Sequence, residues 1–304
     1  MIDGLANSVI AVPPLARNPD LTVNRQANAA LIRHIEHGGV RTLMYGGNAN
    51  FQNIGLYEYG AVLDMLLELA DHTTRVIPSV GPDFGKMMDQ AELLRTRPFS
   101  GVMILPAKSA YTPPGLEEGI RRLADRLGRA VILYVRSEDY LSPVAIERIV
   151  ASGAVECVKY AVIRNDPRID PFLRELVSRI GGELVISGIG ERPAVTHLHY
   201  FRVASFTSGS VCIAPRLSQS ILAAARKQDF ARAEALRALF LPLEDCRDRY
   251  DPIRVLHDAV TLSDIADMGP MLPLMSNLDE ERLGEVRHAA RTLLQSNNQL
   301  IGPA

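Results

Sequence analysis

Eight short apolar runs rich in β-branched residues recur along the chain, and a helical pattern separates each run from the next. Continuous apolar runs of this length are typical of buried parallel strands, and strands that alternate with helices form α/β folds. Eight such units predict a closed (β/α)8 TIM barrel. The predicted strands are 8–12, 41–45, 75–79, 101–105, 130–134, 155–160, 183–187 and 203–207.

A doubly wound open sheet is the main alternative to the barrel. Such a sheet more often carries a Gly-rich dinucleotide-binding turn after its first strand, whereas the turn here is Pro13-Pro14-Leu15-Ala16. Gly38-Gly39, Gly128 and Gly181-Gly182 follow helical segments, as is typical of helix ends that lead into the next strand. These features favour the barrel.

The strand pattern stops near residue 225, and helical patterns cover 230–250, 253–266 and 280–295. We therefore expect residues 1–225 to form the barrel that carries the active site. Residues 226–304 are predicted to form a C-terminal helical extension. Because no low-complexity linker separates the two parts, the extension should pack on the barrel.

The formal net charge of −2 gives no electrostatic reason to expect nucleic acid or an anionic membrane as a partner. The three cysteines are far apart and lack C-x-x-C spacing, so neither a disulfide framework nor a zinc site is indicated. A reducing cytoplasm is the expected compartment. The apolar stretch near the start is too short for a signal peptide or a membrane span.

Lys159 is the most informative single residue. Only four of the 33 basic residues are lysines, and Lys159 lies inside an apolar strand. Alternation along that strand places Lys159 on the inner face, near the C-terminal end where active sites of this fold lie. Burial lowers the pKa of an amine and favours its attack on a ketone, which an arginine cannot perform. A carboxylate-paired or solvent-reaching lysine is the alternative.

Tyr134 closes the fifth strand, next to the strand of Lys159, and its phenol can donate and accept the protons that imine chemistry requires. A purely structural aromatic is an equal alternative at such a position. Lys108 is a rival amine at the same mouth, although its loop setting indicates solvent exposure.

Three turns at the predicted mouth offer hydrogen-bonding groups. The turn after the second strand contains Gly47, Asn48 and Ala49, whose backbone N–H groups and amide could hold a carboxylate, unless the glycines are there for steric reasons. Gly188 follows the seventh strand, and Thr207 and Ser208 end the eighth. All can contribute hydrogen bonds to an oxygen-rich ligand.

The histidines do not indicate a metal site. His34 and His37 lie within one helical turn but lack a third ligand, so surface positions are expected. His197 and His199 do not share a helix face. We therefore expect no metal and no cofactor, and a metal-dependent aldolase is disfavoured.

The order and spacing of these residues resemble the dihydrodipicolinate synthase and N-acetylneuraminate lyase superfamily of class I aldolases, over nearly the whole chain. The resemblance implies that Lys159 is the Schiff-base lysine, that Tyr134 shuttles protons and that Gly47, Asn48 and Ala49 bind the keto-acid carboxylate. It also implies a homotetramer, commonly a dimer of dimers. Further matching features are Ser187-Gly188, Ala214-Pro215-Arg216, Gly269-Pro270 and Leu272-Pro273-Leu274.

The chain departs from the dihydrodipicolinate synthase pattern at the groups that recognise the second substrate. Asn48 and Ala49 replace a hydroxyl pair, and Tyr111 is the nearest phenol to a missing aromatic pair. The arginine that grips a substrate carboxylate after the strand-five tyrosine is missing or has moved to Arg136. The longer eighth-strand segment is more similar to the sugar-acid dehydratases. The resemblance thus implies a divergent member.

The leading hypothesis is a Schiff-base-forming lyase, an aldolase or a dehydratase, that acts on pyruvate, a 2-keto-3-deoxy sugar acid or a related small-molecule 2-keto acid. One alternative is a condensation of pyruvate with an aldehyde, as in dihydrodipicolinate synthase. Another is a non-catalytic protein that binds keto acids on the same scaffold, although such a protein has little need of a buried amine.

Overall fold

The computed structural model describes residues 7–107 and 110–300. Its centre is a closed barrel of parallel strands in the order β1 to β8, and β1 pairs with β8 to complete the cylinder. The predicted (β/α)8 TIM barrel is therefore confirmed. The strands are β1 Ile10–Ala11, β2 Thr42–Tyr45, β3 Arg75–Val80, β4 Met103–Ile104, β5 Val131–Val135, β6 Val155–Tyr160, β7 Val185–Ser187 and β8 Ser205–Ser208.

One helix follows each strand and covers the outside of the barrel, as the alternating sequence pattern predicts. These helices are α1 Arg25–His37, α2 Leu56–Leu69, α3 Phe84–Arg95, α4 Pro113–Leu127, α5 Pro143–Ala151, α6 Pro171–Ile180, α7 Glu191–Tyr200 and α8 Pro215–Arg226. Gly128 and Gly181 end α4 and α6 with positive φ of 67° and 85°, which glycine adopts without steric cost.

Further helices follow α8 in the described part of the chain: α9 Phe230–Ala238, α10 Leu241–Arg249, α11 Pro252–Leu262 and α12 Glu280–Gln299. The single helix expected over 230–250 is wrong, because the chain forms α9 and α10 there. Pro242 explains the break. A proline inside a helix lacks the N–H donor and clashes with the carbonyl four residues earlier, which belongs to Ala238, the last residue of α9.

The C-terminal helices contact the barrel through specific hydrogen bonds. The side-chain oxygen of Asn297 in α12 accepts from the backbone N–H groups of Arg216 and Leu217, at distances of 2.9 and 3.3 Å. These N–H groups begin α8 and have no partner within their own helix. Asn297 therefore caps the last barrel helix from a position eighty residues later in the chain.

Candidate active site

Lys159 lies on the inner face of β6, as strand alternation predicts. Its neighbour Tyr160 points outward to the helices, where its ring stacks on Phe172 and its hydroxyl donates to Asp170 over 2.6 Å. Lys159 therefore points to the barrel interior, and only 4% of the residue is exposed. The fold thus buries the amine at the C-terminal end of the sixth strand.

The Lys159 amine has no anionic partner. Among residues 7–107 and 110–300, its Nζ makes neither a hydrogen bond nor an ion pair, and it lies 4.2 Å from the centroid of the Tyr134 ring. Burial lowers the pKa of Lys159 to about 7, and the positive charges of Arg136 and Arg247 act in the same direction. The neutral amine is therefore abundant at neutral pH. The carboxylate-paired lysine is not what the structure shows.

Tyr134 stands directly beside Lys159, because the two residues are register partners in the β5–β6 pair. Burial raises the pKa of the Tyr134 phenol, although the charges of Arg136 and Arg247 oppose the rise. The phenol thus keeps its proton at neutral pH. Its hydroxyl hydrogen-bonds to no residue in the described ranges, so it is available to a ligand.

The turn after β2 forms a short 3-10 helix over Gly47–Ala49. The Asn48 amide donates to the carbonyl of Val12 over 2.8 Å, and the Ala49 N–H donates to Gly46 O over 3.1 Å. A Cβ on Gly47 would meet nothing within 4 Å, so that residue borders open space. The Asn48 side chain is therefore tied to the end of β1, and Gly47 is the accessible part of the turn.

Gly188 packs tightly against Lys159. A Cβ there would lie 3.0 Å from Lys159 Cγ and 2.8 Å from the carbonyl of Tyr160. The Gly188 N–H already donates to that carbonyl over 2.6 Å. The predicted ligand contact is thus reduced to the Gly188 carbonyl, and the residue has a steric role beside the amine.

Ser208 is held in a buried network. Its hydroxyl donates to Glu191 Oε2 over 2.7 Å and accepts from the Val211 N–H over 2.9 Å. Thr207 is 2% exposed, and its carbonyl accepts from the Gly190 N–H over 3.1 Å. Both residues lie at the mouth as predicted, but the Ser208 hydroxyl is already satisfied without a ligand.

Two further predicted residues lie farther out. Tyr111 is 40% exposed and packs edge to face on Tyr140, with ring centroids 5.5 Å apart. Arg136 is exposed and lines a cleft between the loops that follow β5 and β6. Lys108, the rival amine, lies outside the described residues.

Sequence reasoning missed a buried charged group that α10 brings to the mouth. Arg247 Nη1 donates to Glu244 Oε1 over 2.8 Å, and the Ser210 hydroxyl, from the turn after β8, donates to the same oxygen. Burial opposes the charge of Arg247, but the carboxylates of Glu244 and Glu191 raise its pKa. Of the charged residues of α10, Glu244 and Arg247 are the ones that face the core with Leu243. A carboxylate and an arginine three positions apart on the apolar face of a helix are the sequence signal that could have identified this buried pair.

The histidines make structural contacts. His34 is half-buried rather than on the surface, and its Nε2 lies 3.2 Å from the carbonyl of Ile213. His197 Nδ1 shares a 2.8 Å hydrogen bond with Ser187. In the described ranges, no three His, Cys, Asp or Glu side chains form a group able to hold a metal ion. None of the described helices is both long enough and apolar enough to span a membrane.

Comparison with known proteins finds one curated relative and many similar structures. The probable 5-dehydro-4-deoxyglucarate dehydratase of Bacillus subtilis is 25% identical over 240 residues, or 75% of each chain. The dihydrodipicolinate synthase of Oceanobacillus iheyensis superposes with a TM-score of 0.85 at 17% identity, over 99% of this chain and 100% of its own. The resemblance to this superfamily is confirmed.

Other superfamily structures match almost as completely. YagE, a prophage protein of E. coli K12 from the dihydrodipicolinic acid synthase family, was solved with pyruvate; its TM-score is 0.82 at 20% identity, over 96% of this chain and 99% of its own. The N-acetylneuraminate lyase of Fusobacterium nucleatum gives 0.81 at 14% identity, over 95% and 99%. No family model matches the chain. The chain therefore has the superfamily's fold, and its sequence is divergent.

Proposed function

We propose that the protein is a Schiff-base-forming lyase that acts on a 2-keto-3-deoxy sugar acid or a related 2-keto acid, by dehydration or by retro-aldol cleavage. Lys159 is the nucleophile and Tyr134 the acid and base. One observation carries the proposal: a buried amine without an anionic partner, with a pKa of about 7, lies against a tyrosine whose hydroxyl is also unpaired among the described residues.

The chemistry follows from these two groups. The neutral Lys159 amine adds to the ketone carbon, and the resulting carbinolamine loses its oxygen as water to form an imine. Once the imine is protonated, it accepts the electron pair released when the C3–C4 bond breaks with loss of the C4 hydroxyl proton, or when C3 loses a proton before the C4 hydroxyl leaves as water. Hydrolysis of the product imine then frees the Lys159 amine. Tyr134 carries protons to and from the departing oxygen in these steps. Gly47, Asn48 and Ala49 border the space for the adjacent carboxylate.

The relative's name supports the choice of substrate. A 5-dehydro-4-deoxyglucarate carries a ketone next to one carboxylate and a deoxygenated carbon on the other side, which is the pattern of a 2-keto-3-deoxy sugar acid. Dehydration of such an acid is the reaction favoured here. Condensation of pyruvate with an aldehyde stays the catalytic alternative, and keto-acid binding without turnover is the non-catalytic one.

We also propose that the chain divides into a barrel part, residues 1–225, and a helical extension, residues 226–304, and that the protein is a cytoplasmic homotetramer. Ile163 and Ile169 lie in the segment between β6 and α6 and are 74% and 69% exposed. Exposed apolar side chains of this kind support burial of that segment by another subunit. Light scattering of the purified protein should give four times the chain mass of 33.4 kDa.

Borohydride trapping tests the central step. Incubation with pyruvate and borohydride should add a reduced pyruvyl group to the peptide that contains Lys159, and mass spectrometry locates it. Lys159→Arg should abolish the adduct, because a guanidinium does not form an imine. The matched control is Lys227→Arg, an exposed lysine on the surface, which should leave the adduct unchanged. Folded wild-type protein without an adduct would overturn the proposal.

A panel of 2-keto acids separates the alternatives. Trapping with product formation supports the lyase, and product from pyruvate plus an aldehyde indicates condensation. Trapping or thermal stabilisation without product from any acid indicates the binding protein. A chelator should leave turnover unchanged, whereas loss of turnover would indicate a metal-dependent lyase.

A further inference from the structure

The guanidinium of Arg247 is only partly used by the protein. Its Nε donates to the carbonyl of Pro252 over 3.3 Å and its Nη1 to Glu244 over 2.8 Å, whereas its Nη2 donates to no residue in the described ranges. A guanidinium has five N–H donors. Arg247 is nevertheless only 8% exposed. The unpaired Nη2 of this largely buried cation is therefore available to hydrogen-bond a ligand at the mouth of the barrel.

Two glycines make room for this guanidinium. A Cβ on Gly209, in the turn after β8, would lie 2.9 Å from Arg247 Nη2 and 3.0 Å from the Asn48 amide nitrogen. A Cβ on Gly190, after β7, would lie 2.9 Å from Glu244 Oε2 and 3.6 Å from Arg247 Nη1. Arg247 therefore reaches from α10 into the space between the strand-end loops of the barrel.

Arg247 and Lys159 share one mouth. The loop after β7 touches both, since Gly188 packs on Lys159 and Gly190, two residues later, packs on Arg247. Two residues of chain span at most about 7 Å. The charge of Arg247 acts on both groups, as expected for a cation nearby: it adds to the lowering of the Lys159 pKa that burial causes, and it opposes the rise that burial causes in the Tyr134 pKa. A short carbon chain attached to the amine could reach the guanidinium.

We propose that Arg247 binds the distal carboxylate of a dicarboxylic 2-keto acid whose ketone reacts with Lys159. The inference rests on the proposed function and narrows its substrate class. Arginine suits this role because its planar fork matches a carboxylate with two parallel hydrogen bonds. The sequence indicates Arg136 as the arginine that could grip a substrate carboxylate, but Arg136 is exposed, so a hydrogen bond to it competes with water. Arg247 is shielded from water. Arg247 is thus the specificity-determining residue.

Two six-carbon acids test this directly. 2-Oxoadipate and 2-oxohexanoate share the keto-acid end, but only the first has a distal carboxylate. In wild-type protein, the concentration that gives half-maximal borohydride trapping should be at least about tenfold lower for 2-oxoadipate, the range expected for hydrogen bonds to a charged group. Arg247→Gln should reduce the ratio between the two acids to about one, and Arg247→Lys should leave an intermediate ratio.

Comparing the half-saturating concentrations of the two acids as a ratio cancels any effect of the substitution that is common to both acids. Removing a positive charge also raises the pKa of Lys159, but that change slows trapping of both acids equally. Arg249→Gln is the matched control, because Arg249 lies in the same helix and forms an exposed ion pair with Glu285; its ratio should equal that of the wild type. Arg247→Lys and the wild-type comparison keep the test valid if Arg247→Gln does not fold.

Equal half-saturation for both acids in wild-type protein overturns the inference, as does an equal loss of both in the Arg247 variants, which would indicate a structural role or binding of the carboxylate beside the ketone. If pyruvate is trapped on Lys159 but the wild-type protein does not distinguish 2-oxoadipate from 2-oxohexanoate, the proposed function stands and only the role of Arg247 is removed. Absence of trapping with any acid removes both.

Discussion

Lys159 Nζ lies 4.2 Å from the centre of the Tyr134 ring and makes no hydrogen bond with the phenol oxygen. The aromatic face therefore contacts the amine while the hydroxyl stays available for a ligand. Contact with the ring face stabilises a cation, so the ring partly offsets the cost of burying any charged amine. One side chain thus has two separable parts, the ring that packs on the nucleophile and the hydroxyl that moves protons.

Tyr134→Phe separates these two parts. The ring remains, so imine formation with pyruvate should persist in trapping experiments. Loss of the hydroxyl should lower turnover of the substrate about 100-fold or more, the usual contribution of a positioned acid or base. Tyr111→Phe is the comparison, since that phenol is partly exposed and pairs with Tyr140. A larger loss in Tyr111→Phe than in Tyr134→Phe would transfer the proton relay to Tyr111.

Lys159→Met should stabilise the protein, and the gain should depend on pH. Burial lowers the pKa of Lys159 from 10.5 to about 7, so between these values the unfolded chain binds a proton that the folded chain lacks. The free energy of unfolding of the wild type therefore rises with pH across this window. The advantage of the variant is then largest at pH 7 or below and shrinks towards pH 10.

Thermal unfolding at pH 6.5 and pH 9.5 measures this difference. The variant should melt at least about 2 °C above the wild type at the lower pH and by less at the higher one. Lys227→Met, at an exposed position, should show no such dependence. A difference in Tm that is the same at both pH values would mean that the Lys159 amine is not desolvated.

Gly188→Ala should displace the nucleophile. The added Cβ would approach the carbonyl of Tyr160 to 2.8 Å and Lys159 Cγ to 3.0 Å, and the carbonyl cannot move without disturbing β6. We expect a loss of about 1–3 kcal/mol in the free energy of unfolding and about tenfold slower trapping. Gly284→Ala, where a Cβ meets nothing within 4 Å, should be tolerated. Normal stability and trapping in Gly188→Ala would show that the loop adapts without cost.

The barrel and its reactive lysine were predictable from local patterns. Apolar runs with turn residues between them are set by short stretches of chain, and a lysine within such a run is conspicuous when most basic residues are arginine. The break between α9 and α10 was also within reach, because Pro242 cannot continue a helix. Neighbouring strands then place Tyr134 beside Lys159 without further information.

The position of Arg247 was not predictable in the same way. It depends on how α10 packs over the ends of β7 and β8, a contact between segments about forty to sixty residues apart in the chain. Gly190 and Gly209 leave space for its guanidinium, but a glycine in a sequence does not show which side chain fills the space beside it. Likewise, the commitment of Ser208 to Glu191 is visible only in the folded network.

The cap that Asn297 provides for α8 has a consequence for synthesis of the chain. All eight strands and α8 have left the ribosome before residue 297 is made, so the growing polypeptide holds a complete set of barrel units with the first N–H groups of α8 still solvated. We expect these units to close firmly only after α12 has left the ribosome. A release of the chain before that point would yield a barrel that samples open forms and is cut by proteases near α8.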